Sequence, residues 1–171
     1  MGSDAKFDLA KQLGAHHVIN YRAKDFKVEI EKLFGKESVD VIFDSLGGET
    51  FKKGYQLLRP TGVIVGFGAA ENAKAGLKIV NGLKLLNGFG IFSPAFLIMK
   101  SKGIIGVNML RVADHKPIDM KRTMDAVVEL YDRGELKPVN GGIFPLSKIA
   151  EAHDLLESRK STGKIAIQWD A

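Results

Sequence analysis

The chain has no cysteine, a single tryptophan and three tyrosines among its 171 residues. Without cysteine there is no disulfide, no thiolate metal ligand and no cysteine nucleophile, and nothing argues for an oxidising compartment. The expected home is the cytoplasm. Few aromatic side chains are available for base stacking, and no lysine or arginine run reaches the length of a nucleic-acid patch, so nucleic acid is not an expected partner. Long apolar runs are also missing. The most apolar region, 88 to 109, is interrupted by Gly90, Pro94, Lys100, Lys102 and Gly103, and falls short of the roughly 20 residues that span a bilayer. The opening residues "MGSDAKFDLAK" carry no apolar core of a secretory signal.

What is present is ordinary globular composition, with 45% hydrophobic and 26% charged residues. The formal charge of +5 is mild and spread among acidic residues, which leans towards small anionic partners. Along the chain, helical spacing predicts a helix over 4–13, stopped by Gly14, and "HHVINY" (16–21) reads as a short strand. A second helix is expected over 25–35, with Asp25 as cap and Gly35 as terminator. "VDVIFD" (39–44) is apolar enough for a strand covered on both faces, and it ends at Asp44, Ser45, Gly47 and Gly48. "ETFKKGYQLLRP" reads as a helix closed by Pro60, and "GVIVGFG" (62–68) as another buried strand. Further on come an apolar, loosely helical 76–100, a strand "GIIGVNM" (103–109) and a long amphipathic helix from Asp119. The tail offers "GGIFPL", a helix from Ser147 to Ser158 with Ser147 and Glu151 near cap spacing, and a strand "GKIAIQW". This alternation implies a parallel sheet, and ligands of such sheets sit outside the carboxyl ends of the strands.

The segments "AKQLGAHHVINYRAKDF", "VDVIFDSLGGETF", "LLRPTGVIVGFG" and "GELKPVNGGIFPLSKIAEAHDLLESRKSTGKIAIQW" together resemble the medium-chain dehydrogenase/reductase superfamily, in its zinc-independent quinone oxidoreductase branch with the vesicle-amine-transport-protein-like members. The resemblance implies an α/β fold: an incomplete Rossmann-type doubly wound parallel sheet plus a C-terminal return segment of the GroES-like domain. Residues 1–112 would form a partial dinucleotide-binding domain lacking the first two strands, and 113–171 the helices and strands that return to the substrate domain. The sheet order 3-2-1-4-5-6 would then lose its middle and leave a gap. "GFGAAE" (66–71) and "GFGIFS" (88–93) each supply two glycines of a pyrophosphate fingerprint and lack the third.

By the same resemblance the parent activity is NADPH-dependent reduction of a quinone or an α,β-unsaturated carbonyl compound by hydride transfer, with this stretch alone expected to be inactive. Lys6 and Tyr21 fall where the family grips the 2′-phosphate of NADPH, with Ser3 adding a hydroxyl. An ammonium and a phenol suit a phosphate dianion; residue type alone favours a solvated lysine and a strand-end tyrosine, and it is the motif that favours the phosphate role. Asp44, Ser45, Leu46 and Gly47 fall on the adenine and ribose side of the cofactor. Phe67, Gly68 and Ala69 fall beside the nicotinamide ribose, and Val107 and Asn108 beside the nicotinamide. Simple strand-to-helix turns remain the alternative for these positions. No catalytic acid or base is assigned. Adjacent His16 and His17 point to opposite strand faces and His115 and His153 are isolated, so no metal site is expected. The expected partners are a small-molecule substrate and a second copy of the chain, paired through the strand at 103–109. A non-enzymatic domain retained for association or binding is the alternative function.

Overall fold

The computed structural model describes residues 1–68, 89–90, 92–158 and 160–169. The chain divides into two compact units, Met1–His115 and Lys116–Ala171.

The first unit is built on three parallel strands in the order β1-β2-β3: β1 (Val39–Asp44), β2 (Leu58–Gly66) and β3 (Gly103–Gly106). Helices α1 (Phe7–Gln12) and α2 (Phe26–Phe34) precede β1, and α3 (Gly48–Leu57) joins β1 to β2. Helix α4 (Pro94–Lys100) leads into β3, and α5 (Met109–His115) follows it. The register places Ile42, Ile64 and Ile104 in one row across the sheet. That row packs against Phe51 of α3 and against Leu58, with Tyr55, Phe89 and Phe92 around them. Phe51, Leu58 and Ile64 are almost fully withdrawn from water, and side chains of this size stabilise by roughly 1.5–3 kcal/mol each on burial.

Two expectations are corrected here. Residues 16–21 do not form a strand, because a strand needs a ladder partner: the segment finds only Met1, whose ammonium donates to the Ile19 carbonyl and whose carbonyl accepts from Tyr21 N at 3.0 Å. The expected gap within the sheet is therefore absent, and the three remaining strands pair contiguously. Nor is β1 covered on both faces. Alternation turns Ile42 towards α3 and Val41 and Phe43 the other way, where Phe43 stays 73% exposed.

Helix α2 begins as its sequence predicts. The Asp25 carboxylate accepts from the backbone N–H of Lys27 and Val28, and Lys53 of α3 reaches it at 2.7 Å. The Lys53 contact, with those N–H donors, holds the Asp25 carboxyl below its ordinary range. At the amino-terminal end of the sheet the buried Lys102 ammonium meets Glu37 at 2.8 Å and lies 5.4 Å from the Tyr55 ring centre. Its hydrogen bond depresses the Glu37 carboxyl, while burial raises the Tyr55 phenol.

The second unit contains α6 (Pro117–Asp132), β4 (Asn140–Pro145), α7 (Ile149–Glu157) and β5 (Lys164–Gln168), with β4 and β5 paired in parallel. Ala152 of α7 is buried. Ser147 does not cap α7: a 3-10 turn over Leu146–Lys148 carries the chain one residue further, and Lys148 takes the cap position without a side-chain bond.

Strand β2 starts four residues earlier than expected because it contains a turn. Its register with β1 slips between Val39 and Val41, and Arg59–Gly62 bulge outward there. A Cβ on Gly62 would lie 2.9 Å from the Arg59 and Val39 carbonyl oxygens, so only glycine fits. Thr61 has φ of 73°, the conformation that a turn with proline before it reserves for glycine and that a β-branched residue resists. Relief of that strain exceeds the extra chain entropy of glycine in the unfolded state, so Thr61→Gly is expected to stabilise the first unit by about 1 kcal/mol. Urea denaturation checks it, and a lower midpoint for the variant would show that the Thr61 conformation carries no strain.

Candidate functional site

The carboxyl ends of the three strands taper. Phe43, Val65 and Ile105 share one row, and the row beyond it is Asp44, Gly66 and Gly106. Two glycines at that last row leave the α3 side of β2 and β3 without side chains there. Gly66 is the position where Phe51 approaches a would-be Cβ to 3.1 Å, and around Gly106 nothing lies within 4 Å. The result is a cleft of about 690 Å³ at the strand ends. It is lined by Phe51, Gly66, Phe67, Gly68, Phe89, Ile104, Ile105, Gly106, Val107, Asn108, Met109 and Leu110.

Asp44 organises the turn that leaves β1. It is 8% exposed, and its Oδ1 accepts from Leu46 N at 2.9 Å and Gly47 N at 2.5 Å. Thr50 Oγ1 donates to its other oxygen at 3.0 Å and also contacts the Gly47 carbonyl at 2.7 Å. Every acceptor demand of the turn thus falls on one carboxylate, which is engaged inside the protein rather than held out to a ligand. Gly47, at φ of 74°, provides the left-handed residue that starts α3. The Phe67 N–H donates to the Asp44 carbonyl at 3.0 Å and the Val107 N–H to the Gly66 carbonyl at 2.8 Å, so the strand ends stay in line beyond the ladder.

The residues singled out in the sequence fall into two groups. Phe67, Gly68, Val107 and Asn108 line the cleft together. Ser45, Leu46 and Gly47 form the adjoining turn, tied in through Gly68, whose would-be Cβ would meet the Ser45 carbonyl at 2.5 Å. The corresponding space at Gly47 is filled by the Phe89 ring at 2.5 Å. Ala69 lies outside the described residues, as do parts of both glycine pairs at 66–71 and 88–93. Ser3, Lys6 and Tyr21 belong to the second group. Ser3 caps the 3-10 turn Asp4–Lys6, Asp4 accepts from Asn20 at 2.8 Å, and Tyr21 packs over Gly2 with its hydroxyl 2.9 Å from a would-be Cβ.

Two contributions escape a reading of the sequence. Arg22 Nε stands 3.3 Å from the same point at Gly2, which adds a cation beside Tyr21; its signal was its place immediately after the tyrosine in "VINYR". Phe51 and Phe89 form a wall of the cleft with ring centres 5.3 Å apart, a pairing between distant segments that no local pattern announces.

Fold and cleft define an α/β class of protein with its candidate site at the carboxyl ends of parallel strands. The family profile described as zinc-binding dehydrogenase matches residues 13–167, and the chain belongs to that family. It is 31% identical over 167 residues to the synaptic vesicle membrane protein VAT-1 homolog of Danio rerio, covering 96% of this chain and 34% of that protein. It is 29% identical to a 2-haloacrylate reductase of Burkholderia sp (98% and 46% covered) and 28% identical to quinone oxidoreductase-like protein 2 of Bos taurus (97% and 43%). A crystal structure of an NAD-dependent alcohol dehydrogenase superposes with a TM-score of 0.69 at 27% identity, covering 98% of this chain and 42% of that one. The chain spans less than half the length of the curated relatives it matches. These relatives place it in the medium-chain dehydrogenase/reductase superfamily, beside quinone oxidoreductase-like proteins. Zinc implied by the family's description finds no fitting donors: the chain has no cysteine, and the described residues hold no cluster of three histidine or carboxylate side chains.

The acceptor role of Asp44 is testable by paired substitutions. Asp44→Ala strands a buried donor at Gly47 and is expected to cost roughly 2 kcal/mol, whereas Asp44→Asn keeps one amide oxygen for the turn and is expected to cost less than about 1 kcal/mol. Urea midpoints of the two variants decide, and equal losses would show that the charge of Asp44, not its acceptor geometry, holds the turn.

Proposed function

We propose that the chain is the C-terminal part of an NADPH-dependent oxidoreductase that reduces a quinone or an α,β-unsaturated carbonyl compound. One observation carries the reading: three parallel strands end side by side at an apolar cleft whose floor is opened by Gly66 and Gly106 and whose rim holds Phe67, Gly68, Val107 and Asn108. A flat ring fits between such walls, and a nicotinamide bound there supplies the hydride. The chain's own residues contribute position and exclusion of water. Residues 1–112 carry the cofactor side, and 113–171 return towards the substrate domain of a longer protein. Relatives described as a haloacrylate reductase and a quinone oxidoreductase-like protein support an electron-poor alkene or quinone as substrate.

For the cofactor, Ser3, Lys6 and Tyr21, with Arg22 beside them, would hold the 2′-phosphate. Two cations and two hydroxyl groups favour that dianion over the bare ribose of NADH. Among the described residues no helix is long and apolar enough to cross a membrane, and the cytoplasm is the proposed setting. Among the described residues strand β3 is an edge of its sheet, a position that suits pairing with a second copy.

The 2′-phosphate assignment predicts that Lys6→Ala weakens NADPH binding about tenfold or more while NADH is affected little, since a charge-assisted hydrogen bond is worth about 1.5–3 kcal/mol. Calorimetric titration with each nucleotide measures this, and equal losses would remove Lys6 from the site. For the edge-strand dimer, light scattering at micromolar concentration is expected to return twice the 18.7 kDa chain mass, and a monomer alone would refute it.

A further inference from the structure

We draw no further inference here: the strongest candidate, the apolar patch that Val41 and Phe43 of β1 and Ile105 of β3 leave exposed on the sheet face turned away from α3, carries nothing because nothing in the structure shows what covers it.

Discussion

The turn held by Asp44 is the constraint on which the rest of the first unit depends. A carboxylate withdrawn from water is costly unless its oxygens are engaged, and here two backbone N–H groups and the Thr50 hydroxyl engage them. Satisfying that carboxylate fixes where β1 stops and where α3 starts. The start of α3 in turn sets Phe51 over the Ile42, Ile64 and Ile104 row, and the core forms beneath it. Two residues further along the strands, on the same face, β2 and β3 run out of side chains at Gly66 and Gly106, and the cleft opens. Core and cleft are therefore successive rows on one face of a single register.

Several glycines at this end of the sheet serve the protein's own packing first. The free space at Gly68 admits the Ser45 carbonyl, and that at Gly47 admits the Phe89 ring. These contacts draw the β1 and β2 exits together and build the wall on which a ligand would rest. Gly106 is different, because nothing of the protein fills the space in front of it. Close approach by a ligand has the clearest room there. At the opposite end of the sheet, the Lys102–Glu37 pair ties the start of β3 to the loop before β1, so the strands are pinned at both ends by polar groups with the apolar row between them.

Much of this was legible in the chain and part was not. Asp25 as cap and Gly35 as terminator of α2 follow from side-chain chemistry acting within four residues, and the bounds of β1 follow from a run of apolar residues. The strand expected at 16–21 failed for a reason no local pattern contains: its residues favour extension, but a ladder needs a neighbour, and only Met1 meets it. Ser147 failed as a cap because a 3-10 turn shifted the helix by one residue. Phe67, Gly68, Val107 and Asn108 were legible as strand-end residues, and the fold brings these four to one cleft.

The sequence by itself determined the class of the protein: an α/β alternation with glycines and small polar residues wherever a strand gives way to a helix. It did so because helix caps, strand alternation and turn residues act over a few positions. Only the tertiary structure decided which of those strand ends share a wall, that the Asp44 carboxylate is spent on its own turn, and that the Asn108 oxygen caps the helix after β3. Those outcomes depend on register between strands and on aromatic rings arriving from distant segments. Contacts of that range are set by packing, and no short stretch of residues encodes them.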